Sequence, residues 1–314
     1  MSRSKIRVLV AEEVRDFLPH VEVPDDVEIV WLPASQPVPE GDYKGLLPLL
    51  SRRIDAELLD RLPDVKVVAN YAVGYDNVDL AAARARGVPV SNTPDVLTEA
   101  TADLTWALIL ATCRRFHEAE QVARHGRWGW QPTLLLGMEM KGRCLGLLGA
   151  GRIGRAVGRR AIPFGLEVVY WDRQPQPEFE AETGARRIEN LTELLAVSDI
   201  VSIHLQFSPE TAGLIGRDQL TRMKDGAVLI NTARGGIVDE DALCEALESG
   251  KLRGAGLDVY EGEPEIRECL KRALNTVILP HIGSATDDTR RRMFELAWSN
   301  LMRGMRGEPL LTPV

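Results

Sequence analysis

The sequence predicts an α/β protein with two doubly wound domains, each built on a parallel sheet covered by helices. Three observations lead to this prediction. Short runs rich in Val, Ile and Leu lack polar alternation, which is typical of strands buried on both faces. These runs alternate with helical patterns almost throughout the chain. One run also ends in a glycine-rich turn that opens a helix.

Hydrophobic periodicity and turn residues delimit the predicted elements. The predicted strands cover residues 6–11, 27–32, 45–50, 65–70, 144–149, 167–171, 200–204, 227–231, 255–258 and 276–279. The predicted helices cover residues 56–61, 80–86, 98–125, 153–164, 191–197, 239–249 and 286–304. The chain shows neither a fixed-period repeat nor a low-complexity tract.

The long helical pattern at 98–125 divides the chain. It leads through a loop containing Trp128, Trp130 and Pro132 into a second series of strands, which starts at Cys144. The last helix lies too far along the chain to belong to that series. We therefore predict a discontinuous first domain, 1–98 plus 287–314, and an inserted second domain, 99–286.

Composition excludes several classes of function. The 314 residues suffice for two cores, and the net charge of −8 disfavours nucleic acid and anionic membranes as partners. No apolar stretch approaches the length of a membrane span or a signal sequence. Four cysteines lack metal-ligand spacing, so we expect no metal, free thiols and a cytoplasmic location. The cysteines are Cys113, Cys144, Cys244 and Cys269.

A dinucleotide fingerprint lies at the start of the inserted domain. Gly149, Gly151 and Gly154 form a GxGxxG pattern between a predicted strand and a predicted helix. Asp172 follows the next strand, at the spacing expected for an acid that binds the adenosine ribose. A tight turn without a ligand is the alternative, but the complete strand–turn–helix–strand–acid context favours a bound nucleotide. The inserted domain is therefore predicted to be Rossmann-like.

Two neighbouring side chains bear on the choice of nucleotide. Asp172 favours NAD(H), because its carboxylate would repel a 2′-phosphate. Arg173 would instead hold that phosphate if the acid turned away, so NADP(H) stays open as the second cofactor.

Several polar residues follow predicted strands, where the carboxyl ends of a parallel sheet bind ligands. Arg234 follows one such strand, and its guanidinium suits an anionic group such as the carboxylate of a small 2-oxo acid. Reduction needs a general acid, for which His281 is the candidate. A carboxylate, Glu263 or Glu261, would orient the imidazole and favour its protonated form. Position alone leaves the choice between the two glutamates open.

Two further groups are weaker candidates. Backbone N–H groups of Val73 and Gly74, in the first domain, are predicted to bind the substrate carboxylate. His204 ends a strand near the nucleotide, and its side chain either lines the cofactor or packs internally. The remaining histidines are interpreted as surface or packing residues.

At these motifs the sequence resembles the D-isomer-specific 2-hydroxyacid dehydrogenases, and within them the glyoxylate/hydroxypyruvate reductases. The resemblance covers nearly the whole chain. The matching stretches are 73–77, 93–98, 149–154, 231–235, 256–259 and 280–286. Several such motifs in the right order are highly specific.

The resemblance implies two Rossmann-like domains: an NAD(P)-binding cofactor domain at 99–286 and a flavodoxin-like substrate domain at 1–98 plus 287–314. It also implies a homodimer formed largely through the cofactor domain, and NAD(P)-dependent reduction of a small 2-oxo acid. It implies that Arg234 binds substrate, that His281 is the acid/base and that Glu263, rather than Glu261, is its partner. It further assigns residues to the cofactor and the substrate. These are Arg152, Ile153, Thr101, Thr232, Asp258 and His281 for the cofactor, and Leu50, Gly283 and Ser284 for the substrate. Gln206 departs from the apolar step usual in the family and is expected to alter the wall of the cofactor site.

Alternatives remain within and outside enzyme chemistry. D-lactate, phosphoglycerate and phosphite are other small anions, and Arg52 and Arg53 would suit a phosphorylated substrate if they are not simply solvated. Trp128 and Trp130 resemble an arm that reaches the neighbouring subunit's active site, although packing at a dimer interface explains them equally well. A cofactor-sensing co-repressor is the alternative outside catalysis.

Overall fold

The computed structural model describes residues 5–126 and 128–314. The described chain forms two compact units, one made of residues up to Leu97 together with Ser284–Val314, the other of Thr98–Gly283. The limits derived from the sequence, 98 and 286, fall beside these boundaries, and the roles given to the two domains remain predictions. None of the helices in the described ranges is both long and apolar enough to span a membrane.

The first unit contains a five-stranded parallel sheet in the order β2-β1-β3-β4-β5. This is the flavodoxin-like order of a doubly wound fold. Its strands are β1 (Ile6–Ala11), β2 (Val27–Leu32), β3 (Gly45–Leu47), β4 (Val68–Ala69) and β5 (Val90–Ser91). Its helices are α1 (Ala56–Arg61), α2 (Leu80–Ala85), α11 (Asp287–Met305) and the 3₁₀ helix Glu12–His20.

The second unit contains a seven-stranded parallel sheet. Its strands are β6 (Cys144–Leu148), β7 (Glu167–Trp171), β8 (Arg186–Arg187), β9 (Ile200–Ile203), β10 (Ala227–Asn231), β11 (Leu252–Leu257) and β12 (Thr276–Ile278). The order is β12-β11-β10-β9-β6-β7-β8, so the direction of winding reverses between β6 and β9. Ligands of such sheets bind beyond the carboxyl ends of the strands at this reversal.

The described part of this unit contains eight α-helices. They are α3 (Thr98–Cys113), α4 (Phe116–Arg124), α5 (Arg152–Ala161), α6 (Pro177–Thr183), α7 (Leu191–Val197), α8 (Arg217–Arg222), α9 (Glu240–Glu248) and α10 (Glu268–Arg272). Short 3₁₀ helices cover Ile162–Phe164 and Gly235–Ile237. Both units are therefore parallel α/β folds, as predicted.

Strand β6 shows why the apolar runs lack polar alternation. Leu145 and Leu147 belong to one buried cluster, whereas Leu148 belongs to the other. Because successive side chains of a strand point to opposite faces, helices must cover both faces of this sheet. The strand is consequently apolar along its whole length.

The single helix predicted at 98–125 is wrong. The chain breaks between α3 and α4, where Arg115 adopts a left-handed backbone conformation with φ of 55°. Its guanidinium donates two hydrogen bonds to Glu118, of 2.8 and 2.6 Å, across the first turn of α4. This local ion pair stabilises a new helix start that the hydrophobic pattern does not reveal.

The expectation of four free thiols is also wrong. Cys244 in α9 and Cys269 in α10 form a disulfide, although 25 positions separate them in sequence. Cys113 and Cys144 are free. Spacing alone could not reveal the bond, because α9 and α10 become neighbours only through the fold.

Candidate active site

The glycine-rich turn joins β6 to α5. Gly149 has φ of 96°, a conformation that favours glycine, and a Cβ on Gly154 would lie 2.1 Å from the carbonyl oxygen of Gly149. A Cβ on Gly151 would meet open space. In the described residues, no side chain caps the start of α5. The ten-residue helix thus begins at a glycine turn without a capping side chain, an arrangement that fits the pyrophosphate of a dinucleotide.

Asp172 follows β7 and lies against this turn. Its Oδ2 accepts a 2.8 Å hydrogen bond from the Ala150 N–H, while Oδ1 lies 3.4 Å from the Gln174 nitrogen. The backbone carbonyls of Asp172 and Arg173 accept hydrogen bonds from the guanidinium of Arg187. Asp172 is therefore held beside the glycines, at the position where a Rossmann acid binds ribose.

The other predicted cofactor residues occupy the same unit. Arg152 is the first residue of α5, and Ile153 packs against the core. The carbonyl of His204 lies near Gly149, and its Nε2 is 2.9 Å from the Ser202 hydroxyl. Burial lowers the pKa of His204 to about 3, so its imidazole is neutral. Gln206 is exposed and follows β9.

Thr101 and Thr232 lie on two elements that meet near the end of β10. Thr101 is buried in α3, and its carbonyl accepts a 2.8 Å hydrogen bond from the Thr105 hydroxyl. That hydroxyl lies 2.9 Å from the Thr232 hydroxyl. The contact ties helix α3 to the turn that carries Arg234.

Buried Asn231, the last residue of β10, shapes the turn. Its side-chain amide donates to the Arg234 carbonyl at 2.9 Å, and its Oδ1 accepts from the Ala233 N–H at 3.0 Å. Arg234 is partly buried, and its Nη1 donates to the Ala233 carbonyl at 2.8 Å. The turn therefore presents a guanidinium at the carboxyl end of the central strands.

His281 and Glu263 form a direct pair. The Nδ1 of His281 lies 2.7 Å from Glu263 Oε2, and Glu263 Oε1 accepts a 2.9 Å hydrogen bond from the Tyr260 N–H. Burial opposes ionisation of Glu263, but these hydrogen bonds and the charges of His281 and Arg234 hold its pKa below the ordinary value. Glu261 instead pairs with Arg267. The structure thus places Glu263, and not Glu261, against the imidazole.

The backbone of His281 is unusual. Its φ of 55° lies in the left-handed region, which costs free energy for any side chain other than glycine. Asp258, only 1% exposed, anchors the following residues, because its two oxygens accept the N–H groups of Ile282 and Gly283 at 2.8 Å each. Burial raises the pKa of Asp258 despite these bonds. Asp258 therefore holds the loop of His281, whereas its predicted contact with the cofactor stays a prediction.

The remaining candidates, Leu50, Val73, Gly74 and Ser284, belong to the first unit. The carbonyls of Val73 and Gly74 accept hydrogen bonds from Asn92 and Asn70, of 2.8 and 2.9 Å. In the described chain their N–H groups donate no hydrogen bond. This loop can therefore offer two N–H donors to an anion. Leu50 and Ser284 are partly buried loop residues.

Sequence reasoning missed residues that act on the backbone of the site. The Tyr260 hydroxyl lies 2.8 Å from the carbonyl oxygen of Leu279 and 3.1 Å from that of Leu257, so its single proton is shared between the ends of β11 and β12. Buried Glu240 accepts the N–H of Glu261. The only sequence signals for these roles are that Tyr260 comes shortly after a strand and that Glu240 begins a helix.

Within one unit the fold brings together a glycine turn for a dinucleotide, a guanidinium and an imidazole–carboxylate pair. A guanidinium binds a carboxylate, and an imidazole backed by an ionised carboxylate can give and take a proton. Among the described residues, no group of side chains could hold a metal ion. The side chains present therefore suit proton transfer beside a nucleotide.

Comparison with known proteins agrees with this chemistry. Residues 106–283 match the family model described as D-isomer specific 2-hydroxyacid dehydrogenase, NAD binding domain. A glyoxylate reductase from Thermococcus litoralis is 47% identical over 272 residues, which cover 85% of this chain and 82% of that protein.

Solved structures agree as well. A protein from Thermus thermophilus has a TM-score of 0.88 and 46% identity, covering 98% of this chain and all of that one. An NADPH-dependent glyoxylate/hydroxypyruvate reductase from Sinorhizobium meliloti, solved with NADP and malonate, has a TM-score of 0.87 and 36% identity. That match covers 99% of this chain and 97% of the other. The chain therefore belongs to the D-isomer-specific 2-hydroxyacid dehydrogenases, and its central segment is their NAD-binding domain.

Proposed function

We propose that the protein reduces small 2-oxo acids, glyoxylate and hydroxypyruvate above all, to the corresponding 2-hydroxy acids. The observation that supports this most is the 2.7 Å contact between His281 and Glu263 at the same sheet edge as Arg234. Relatives with 47% identity named glyoxylate reductase support the choice of substrate.

The proposed roles follow from the side chains. A bound nicotinamide supplies the hydride that reaches the carbonyl carbon. Arg234 binds the carboxylate and polarises the carbonyl. Protonated His281 gives its proton to the carbonyl oxygen, which completes the hydroxy acid. Glu263 orients the imidazole and stabilises its protonated form through the Nδ1 contact.

The arginines considered for a phosphorylated substrate are engaged elsewhere. Arg52 donates from Nη2 to the carbonyls of Pro33, Ala34 and Gln36, at 2.8, 3.1 and 2.9 Å. Arg53 is exposed and lies 3.3 Å from Asp55. These contacts favour a substrate without a phosphate group.

NAD(H) is the proposed cofactor, with NADP(H) as the second candidate. The carboxylate of Asp172, held against the glycine turn, would lie beside the 2′ position of the ribose and repel a phosphate there. The NADPH dependence of the reductase from Sinorhizobium meliloti supports the second candidate.

A rate panel tests both proposals. We expect glyoxylate and hydroxypyruvate to give the highest kcat/KM among 2-oxo acids, measured as loss of reduced nicotinamide absorbance, and NADH to surpass NADPH. Pyruvate and 3-phosphohydroxypyruvate serve as comparison substrates. A higher kcat/KM with the phosphorylated acid would contradict the substrate assignment, and a preference for NADPH would contradict the role of Asp172.

We also propose a homodimer. Large apolar side chains are exposed around α4 and the loop after it, including Trp130, which is 83% exposed. The others are Phe116, Trp128, Leu134 and Leu136. Apolar groups concentrated in this way indicate a protein interface, and a second copy is the occupant that the family resemblance implies. Sedimentation equilibrium should give twice the chain mass, whereas a monomer would refute the proposal.

A cytoplasmic location is the remaining proposal. The location was inferred from an expectation of free thiols. The disulfide weakens that inference, because disulfides are rare in the cytosol except in hyperthermophiles. Alkylation of the protein during lysis, followed by counting of modified cysteines, would show how many thiols are free in the cell.

A further inference from the structure

A buried carboxylate that the proposed chemistry does not use lies behind the site. Glu240, the first residue of α9, is 3% exposed. Its Oε1 accepts a 2.7 Å hydrogen bond from the Glu261 N–H, and its Oε2 lies 3.2 Å from Arg267 Nε. Burial raises the pKa of Glu240, while the Glu261 N–H and the charge of Arg267 oppose that effect. Glu240 is thus a buried carboxylate that binds the backbone of the loop containing Glu261.

Glu240 lies six positions after Arg234, and a short turn and a helix cap connect the two residues. Gly235–Ile237 forms a 3₁₀ turn directly after Arg234. Asp239 then caps α9, because its side chain accepts the N–H groups of Asp241 and Ala242 at 3.0 Å each. The turn and the cap fix Glu240 relative to the guanidinium-bearing loop.

The other partner of Glu240 belongs to the loop that carries Glu263. The N–H of Glu261 binds Glu240, and the N–H of the preceding Tyr260 binds Glu263. The two loops also touch directly, since a Cβ on Gly235 would lie 1.9 Å from the Tyr260 carbonyl carbon. The close packing of Gly235 against Tyr260 and the hydrogen bond from the Glu261 N–H to Glu240 together join the loop of Arg234 to the loop of Glu263.

We infer that Glu240 is a positioning residue that sets the separation between Arg234 and the His281–Glu263 pair through the N–H of Glu261. The inference rests on the proposed reductase function. The carboxylate and the carbonyl of the substrate belong to one small molecule. The distance between Arg234 and His281 therefore decides whether the two side chains can contact that molecule at the same time. A displacement of about 1 Å can lower a rate by roughly a hundredfold.

A surface ion-pair cluster is the competing explanation. Arg267 also lies 2.8 Å from Asp241 and 3.3 Å from Glu261, so Glu240 could simply neutralise it. Asp241 makes that ion pair without the bond to the Glu261 N–H, and its carboxylate is largely exposed. It therefore provides the matched control.

The test compares three replacements in the full-length protein. Glu240→Gln keeps an oxygen acceptor and removes the charge, Glu240→Asp keeps the charge and withdraws the acceptor, and Asp241→Asn breaks only the neighbouring ion pair. We expect Glu240→Gln and Asp241→Asn to retain kcat within about twofold, and Glu240→Asp to lose about tenfold with an unchanged KM for NADH. Loss in Glu240→Gln equal to that in Glu240→Asp would instead assign Glu240 to ion pairing and overturn the inference.

A double-mutant cycle tests whether Glu240 affects kcat through the loop that carries Glu263. If Glu240 acts through the loop of Glu263, adding Glu240→Asp to Glu263→Gln should lower kcat by less than the tenfold seen in the wild-type background. Equal losses in both backgrounds would overturn the inference. An inactive wild type on every 2-oxo acid would instead refute the proposed function, so the two failures are distinguishable.

Discussion

Replacing His281 by alanine should lower kcat for glyoxylate reduction by about a hundredfold or more, the usual contribution of a general acid. The imidazole lies 2.7 Å from Glu263 and is the proposed proton donor. Affinity for NADH, measured by fluorescence titration, should stay nearly unchanged, because the glycine turn and Asp172 hold the nucleotide in the proposal. The result therefore separates chemistry from cofactor binding.

The left-handed backbone of His281 requires a second variant. An alanine at this position has the same unfavourable φ of 55° but lacks the hydrogen bond to Glu263. The loop can therefore shift in His281→Ala, and that shift would itself lower kcat. Asparagine tolerates this region well and cannot replace an imidazole as acid. We expect His281→Asn to lose as much kcat as His281→Ala. Wild-type turnover in either variant would remove His281 from the mechanism.

Replacing Gly235 by alanine should disrupt stability and activity together. The added Cβ would lie 1.9 Å from the Tyr260 carbonyl carbon and 2.2 Å from the Glu261 nitrogen, and both are backbone atoms that cannot move alone. The loops of Arg234 and Glu263 must separate, at a cost of about 1–3 kcal/mol or more in the free energy of unfolding. We expect a lower Tm and a kcat/KM reduced by about tenfold or more, following the displacement of catalytic groups.

Gly216 supplies the control for this variant. A Cβ there would have its nearest neighbours at 3.6 Å, an ordinary contact distance, and the residue lies in the same unit at the start of α8. Gly216→Ala should leave kcat/KM nearly unchanged and lower Tm less than Gly235→Ala does, because its only expected cost is that alanine is a poorer N-cap than glycine. If Gly235→Ala behaved like Gly216→Ala, the tight packing of the two loops would not matter for the site.

Hydrophobic periodicity was enough to predict the fold class and most strands, because the central strands of both sheets, such as β3, β6 and β9, are largely apolar. It failed where the run was too short, as for the two-residue edge strands Val90–Ser91 and Arg186–Arg187. It also failed at Arg115, where a backbone dihedral and a local ion pair end one helix and begin another. Neither feature changes the hydrophobic pattern.

The candidate site was predictable to the extent that strand ends identify it. Arg234 and His281 each follow a strand, and the glycine turn has a known spacing. Position could not separate Glu261 from Glu263, because loop geometry decides which carboxylate faces the imidazole. It also could not show that Asp258 and Glu240 bind backbone N–H groups, since a carboxylate after a strand serves a ligand or a loop equally well.

The bond between Cys244 and Cys269 has a consequence for the segment it encloses. Asp258 and Glu263 both lie between these cysteines, so a protease cut anywhere in that stretch leaves the two halves of the polypeptide covalently attached. The nicked protein would migrate as one band on a denaturing gel without reductant and as two bands with it. Comparing limited digests with and without reductant would reveal whether a protease cuts the segment between Cys244 and Cys269 while the disulfide still joins the two fragments.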